Sequence, residues 1–498
     1  MEVFWGTLPE LEFLKYLLAK SLVLEKIIIH PPQKTDAEKK LKILKDILRL
    51  CRASPRAEII YLDPEEVSNQ NSHGRKAMRA CDSASDMISN LPNNIINNIL
   101  TCLPIRDAAR TCVLSKIWRF KWLYLSELVF DEIFSGTSPG NSVLSTNKIW
   151  SRIYEILLLH RGPLRKFVIS IPELISGSRI YRIILFLSQK DIQECTFSLK
   201  PGIYYELPST LFSCTQLTHL NLSQCEFRRP PEFTGFSNLI SVDFNRVDIS
   251  TLAFRTFLSK CPLLQRLKLD YLSEMDHLDI DAPNLKYLYL SGIFESICFK
   301  NTPLLSTLII KNVEYWSLSG YGYVFDVFDS LPMIEHLVVG YPFLMNLMAG
   351  EIPEKLPTTF LKCLELSDLA LKYKEVASFA LCLIRSFPNL QKLRVKGCPC
   401  VDNLEDLTSP ESLVKAQEPW EDSLNQLRVV MMDVFCGTWP ELEFLKYLLA
   451  KSLVLEKIFI QPPPKTEAKT GLKILKDVLR LRRASPRAEI IYLDPMED

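Results

Sequence analysis

No run of apolar residues in this 498-residue chain approaches the roughly 18 that a membrane-spanning helix needs, so no span is expected. Net charge is lacking too: 59 Lys and Arg face 58 Asp and Glu, a formal +1. Without a global field there is no electrostatic case for nucleic acid or a membrane as partner. Paired cysteine spacing is absent. The 14 Cys are scattered, whereas a secreted disulfide framework is short and dense, so they read as reduced thiols of a cytosolic or nuclear protein. The first 15 residues carry charges and a Pro, which predicts no signal peptide. There is no Gly-rich phosphate loop and no His-Glu-x-x-His. Cys398-Pro399-Cys400 is the closest cysteine pair, and nothing completes a four-ligand zinc set around it. The six His are widely separated and none sits in a nucleophile motif. No catalytic residue, metal or cofactor is therefore expected, and an enzyme is disfavoured.

What is present begins with a duplication. Residues 3–64 (VFWGTLPELEF…AEIIYLDP) recur as residues 434–495 (VFCGTWPELEF…AEIIYLDP), with 11 differences over 62 aligned positions. Hydrophobic pattern alone sustains a fold through far greater divergence, so this is recent duplication and not a structural repeat. Residues 65–85 are polar and aperiodic and read as a linker.

A different repeat fills the centre. The triplet apolar-x-x-apolar-x-apolar recurs from Leu164/Phe167/Ile169 to Leu390/Leu393/Val395, with starts about 20 to 29 residues apart. Several triplets come after a Pro step, as at Cys261-Pro262, Ala282-Pro283, Thr302-Pro303 and Phe387-Pro388. A Pro there is expected to set up an extended chain before the strand. Each triplet predicts one short strand with its apolar residues inward. No single repeat buries its own apolar face, but a stack does, so residues 160–400 predict an irregular leucine-rich-repeat solenoid of parallel strands. The outward positions are the candidates for substrate contact: His219, Asn221, Ser241, Asp243, Arg266, Lys268, Tyr287, Tyr289, Thr307, Ile309, His336, Lys392 and Arg394. Tyr and Arg are typical interface anchors.

Residues 420–498 extend the pattern through Leu424/Leu427/Val429 and Leu455/Ile458/Ile460. Thr438 and Glu441 are spaced as a capping box, with Pro440 in the first turn of a helix. A second helix over 467–483 and a strand over 488–493 complete a β-α-β-α-β unit. Gly471 falls in that second helix, where it costs about 1 kcal/mol. The N-terminal copy (1–64) lacks the residues matching Leu424–Met432, so it has lost its first strand and would expose a sheet edge.

Residues 86–130 form a compact helical block. Pro92 starts a helix whose stripe includes Ile95, Ile96, Ile99, Leu100 and Leu103, and Pro104 stops it. Asp107 is a plausible N-cap for a second helix, and a third runs from Ser115 with Trp118 and Trp122 on one face. Three short helices are too little to bury so many apolar residues, and the surplus is expected to meet a partner. Arg106, Arg110, Lys116, Arg119 and Lys121 against Asp107 would steer an acidic one.

Leu91-Pro92, Leu103-Pro104-Ile105-Arg106-Asp107-Ala108, Val113-Leu114-Ser115-Lys116 and Trp118-Arg119 together resemble an F-box. The order of parts is similar to plant proteins in which an F-box leads into irregular leucine-rich repeats and a terminal FBD domain, which the duplicated segment resembles. The resemblance implies a non-catalytic receptor. Its F-box would dock a Skp-family adaptor, and through it a cullin, while the repeats and FBD hold a protein substrate for ubiquitination. The implied docking residues are Leu91, Pro92, Ile95, Ile99, Leu103, Pro104, Val113, Leu114 and Trp118. Two departures stand out: the family's acidic pair is Asn93-Asn94 here, and the basic residue before Trp118 is Ile117. Neither removes an apolar anchor. Three alternatives stay open: a leucine-rich scaffold with a degenerate F-box, a fused product of tandem paralogues, and an N-terminal copy that caps or inhibits the protein.

Overall fold

The computed structural model describes residues 11, 14, 26–29, 58–61, 91–135, 146–171, 177–198, 204–228, 233–273, 275, 277–294, 296–314, 333–344, 360–371, 373–397 and 424–495. The 65–85 linker and Cys398–Cys400 lie outside them. The chain divides into two compact units, Met1–Asn90 and Leu91–Asp498.

In the first unit, β1 (Lys26–Ile29) pairs in parallel with β2 (Glu58–Tyr61), Lys26 opposite Glu58. Among the described residues no strand precedes β1. The second unit opens with α1 (Asn93–Thr101) and α2 (Ile105–Arg110). Pro92 and Pro104 each sit just before a helix, and their carbonyls accept the first helical N–H groups at 2.8–3.0 Å. Pro104 therefore starts the second helix as well as stopping the first. Asp107 is not an N-cap: it lies inside α2 and pairs with Arg110 at 3.0 Å. The expected third helix from Ser115 is a 3₁₀ segment, Trp118–Tyr124, and a shorter 3₁₀ segment, Thr111–Val113, follows α2. Three residues per turn replace 3.6, so Trp118 and Trp122 do not share a face. Trp118 and Leu123 are buried while Trp122 is only half-buried.

Among the described residues, fourteen parallel strands then build one sheet. In spatial order they are β3 (Glu127–Phe130), β4 (Lys166–Ser170), β5 (Glu194–Ser198), β7 (His219–Ser223), β9 (Ser241–Asn245), β10 (Arg266–Asp270) and β12 (Tyr287–Ile293). They continue as β14 (Thr307–Glu314), β15 (His336–Gly340), β16 (Cys363–Leu369), β17 (Lys392–Gly397), β18 (Val429–Asp433), β19 (Lys457–Gln461) and β20 (Glu489–Tyr492). The intervening β6 (Tyr205–Glu206) pairs with β8 (Cys225–Glu226), and β11 (His277–Asp281) with β13 (Ser296–Lys300), in small side sheets. The sheet begins at β3, upstream of the expected start at residue 160.

The Pro steps are turns, not extended chain. Leu264 donates to the Cys261 carbonyl at 3.2 Å, Leu285 to Ala282 at 3.1 Å and Leu390 to Phe387 at 3.1 Å. Each Pro thus holds the second position of a four-residue turn, whose φ it presets. The same turn runs from Leu424 to Leu427 at 3.3 Å without a Pro. Leu424 is therefore the residue that opens the turn, and the strand triplet is Leu427/Val430/Met432, not Leu424/Leu427/Val429. The register agrees, with Leu393 opposite Val430 and Lys392 opposite Val429.

A backbone ladder joins each repeat to the next. It crosses into the terminal unit without a break, Arg428 N–H reaching the Gln391 carbonyl at 2.9 Å. There the helices are Trp439–Lys451 and Ala468–Leu479. Glu441 reaches back to the Thr438 N–H at 2.8 Å and its hydroxyl at 2.9 Å, fulfilling the capping-box spacing. Gly471 has a packing reason: a Cβ there would come within 3.0 Å of the Tyr492 hydroxyl on β20. One buried apolar cluster runs from Ile96 through the repeats to Ala488. The architecture is α/β: a short helical block, a parallel-stranded repeat solenoid and a closing β-α-β-α-β unit.

Candidate functional site

Two surfaces hold the candidate residues. The first is the helical block. Ile96, Leu100, Ile105 and Ala108 face inward and merge with the core of the first strands. This absorbs part of the apolar surplus expected to meet a partner. Trp118 goes with it: at 2% exposure it anchors the block to the solenoid and has no face left to offer a partner. Leu91, Ile95, Ile99 and Leu103 are half-buried, and Pro92 and Pro104 are exposed.

The 3₁₀ corner is where apolar side chains remain in water. Val113 is 83% exposed, Leu114 47%, Ile117 46% and Phe120 59%. Ile117 and Phe120 were not among the sequence candidates. Ile117 was visible only as a departure from a motif, and Phe120 lies two residues from inward Trp118, on the side turned to solvent. The Ser115 hydroxyl accepts the Ile117 N–H at 3.2 Å and turns the chain into the second 3₁₀ segment. Lys116 and Arg119 are exposed beside the apolar rim. The Lys121 ammonium donates to Asn93 Oδ1 at 2.7 Å, so one residue of the Asn93-Asn94 pair is engaged internally.

The second surface is the outward face of the sheet. The strand register puts the candidates in two columns. One reads His219, Ser241, Arg266, Tyr287, Thr307, His336, Cys363, Lys392. The other reads Asn221, Asp243, Lys268, Tyr289, Ile309, Val338, Glu365, Arg394. Strands lie about 4.8 Å apart, so His219 and His336 are roughly 24 Å apart and cannot share one small ligand. The centre of the face does come together. Lys268 reaches Asp243 at 3.2 Å, Asn221 donates to Asp243 at 3.5 Å, and Arg266 stacks on Tyr287 with 4.2 Å to the ring centroid. Burial pushes the Asp243 carboxyl up against the opposing pull of Lys268, and burial likewise raises the Tyr289 hydroxyl. Arg394 is turned aside, its Nε bonded at 2.6 Å to the buried Asp433 of β18, so it ties the repeats to the terminal unit. Beyond it the face becomes apolar through half-buried Met431, Phe459 and Ile491, and the misplaced Leu424 triplet concealed the outward place of Met431.

Among the described residues no group of three or more His, Cys, Asp or Glu could hold a metal ion. Burial pushes the Cys225 and Cys261 thiols up to about 12, so both are protonated packing groups at neutral pH. No helix among the described residues is long and apolar enough to cross a membrane.

Comparison with known proteins agrees with this layout. Residues 88–129 match the F-box domain family, and residues 180–327 match the leucine-rich repeats of FBD-associated F-box protein At5g56370. The F-box/FBD/LRR-repeat protein At1g13570 of Arabidopsis thaliana is 36% identical over 405 residues, covering 79% of this chain and 95% of that protein. F-box/FBD/LRR-repeat protein At5g56420, also of Arabidopsis thaliana, is 24% identical over 437 residues, with 79% and 95% covered. With an F-box, leucine-rich repeats and a relative alike along nearly its whole length, the chain belongs to the F-box/FBD/LRR-repeat protein family.

Proposed function

We propose that this chain is the substrate-recognition subunit of a Skp–cullin–F-box ubiquitin ligase. The exposed apolar corner of Val113 and Leu114, extended by Ile117 and Phe120, docks the Skp-family adaptor, and through it a cullin. Half-buried Leu91, Ile95, Ile99 and Leu103, with exposed Pro92 and Pro104, border that contact. The outward sheet face holds a protein substrate, and the partners perform all chemistry. This work takes place in the nucleus or cytoplasm, where the thiols stay reduced.

One observation carries the reading. The apolar corner stands in water while Trp118, four residues from Leu114, is locked into the solenoid core. Exposed apolar side chains grouped on a rigid support mark a protein interface. The same anchor fixes the adaptor's position relative to the substrate face, which transfer to a bound substrate requires. Lys116 and Arg119 beside the corner suit an acidic partner.

A second reading draws on Asn93-Asn94 and Ile117: a leucine-rich scaffold whose F-box no longer docks. Capture of a purified Skp-family adaptor separates the two. Capture by the full chain supports the receptor, and capture by residues 82–498 alone makes the N-terminal copy inhibitory. No capture by either folded protein supports the scaffold.

A further inference from the structure

On the outward face, β10 and β12 set two cation–tyrosine pairs side by side. Arg266 lies opposite Tyr287, its guanidinium carbon 4.2 Å from the ring centroid. Lys268 lies opposite Tyr289, its Nζ 5.5 Å from that ring. The two cations differ in what else they do. Lys268 is already compensated by Asp243 at 3.2 Å. Arg266 is exposed and has no carboxylate partner among the described residues. A guanidinium stacked on a ring is held in orientation while its edge donors stay free, and that fork matches a carboxylate. Half-buried Tyr289 and Ile309 continue the surface on the next two strands.

From this arrangement we infer that Arg266 is the carboxylate-reading residue of the substrate face: it grips an Asp or Glu side chain of an extended substrate segment laid over Tyr287, Tyr289 and Ile309. The inference rests on the substrate-receptor reading above. Charge selects carboxylate over phosphate. Among the described residues, the outward columns from β9 to β14 hold one uncommitted cation, which balances one negative charge, whereas a phosphorylated residue carries about −1.5 to −2. Asp243 and Asp270 border the same patch, Asp270 accepting from Asn245 at 2.8 Å, and a second negative charge there would be opposed.

The test is selection of a displayed library of random dodecapeptides on the purified full chain. Enriched peptides are expected to share one Asp or Glu beside an aromatic or aliphatic residue. A synthetic peptide from that set should bind Arg266→Gln at least about tenfold more weakly than the natural chain. Changing the peptide's acid to its amide should cost the same on the natural chain and nothing more on Arg266→Gln. Tyr287→Phe keeps the ring and should leave affinity within about twofold, while Tyr287→Ala releases the guanidinium and weakens binding. No enrichment, a consensus without an acid, or equal binding by a folded Arg266→Gln overturns the inference. So does tighter binding when phosphoserine replaces the acid. Adaptor capture by the same Arg266→Gln protein is measured in parallel and should be unchanged. Loss of the ligase reading would show as no capture by either protein, and loss of the carboxylate contact as intact capture without acid dependence.

Discussion

Trp118 and Leu114 lie four residues apart and do opposite work. Leu114 is 47% exposed and supports no core, so Leu114→Asp should abolish adaptor capture and leave the melting temperature within a degree or two. Trp118 fills the junction between block and sheet, so Trp118→Ala should cost about 3–5 kcal/mol and lose capture only through loosening of the block. Melting and capture measured on both variants would distinguish surface from anchor. Equal destabilisation by the two would refute the assignment. His160 supplies a pH dependence. It is buried, its Nε2 lies 2.8 Å from the Leu125 carbonyl, and burial lowers its pKa below 6.5. The folded chain therefore prefers the neutral ring. This contribution to stability is complete above 6.5 and declines as pH falls through 6.5 toward the lower folded value. Unfolding midpoints at pH 7.5 and 5.5 should differ more for the natural chain than for His160→Gln. The motif residues were legible in the sequence, but Trp118's direction was not. The α-helical spacing of 3.6 does not apply where the chain is 3₁₀. Whether a short block buries its surplus internally or against a neighbour depends on the strands next to it, which its own residues do not encode.

At the scale of the element, the repeat is a turn, an inward Leu, then an alternating strand. Most triplets were legible because turn and strand each carry a signal, Pro and alternation. At Leu424 an apolar residue at the start of the turn, with apolar Val429 five positions on, completes a false triplet that shifts the pattern by three and reverses which side chains face out. Val430 is inward and fully buried while Val429 is outward and half-buried. Val430→Asp should accordingly unfold or severely destabilise the terminal unit, and Val429→Asp should be tolerated within about 1 kcal/mol. Limited proteolysis with thermal melting would read the difference, and the reverse ranking would favour the Leu424/Leu427/Val429 register instead. Gly471 shows the opposite limit of sequence reading. Its helical position was legible, but its packing against Tyr492 depends on a strand 21 residues away.

At the scale of the molecule, the fourteen-stranded sheet and one apolar cluster of the second unit run from the helical block into the terminal unit. In such a stack each repeat depends on its neighbours, so defects stay local and the exposed apolar corner and outward face keep fixed relative positions. Fold class emerged from periodicity because a solenoid writes its architecture repeatedly into the sequence. The outward face was less legible. Sequence placed Arg394 and Lys268 on it but not their commitments to Asp433 and Asp243, so that among the described residues Arg266 and Lys392 are the cations of the two columns without a carboxylate partner. The most direct test of the receptor account is capture of a purified Skp-family adaptor by the full chain and by Leu114→Asp, both verified as folded by melting. Capture by the natural chain and its loss in Leu114→Asp is the predicted result. Capture retained by Leu114→Asp, or none by the folded natural chain, would contradict the account.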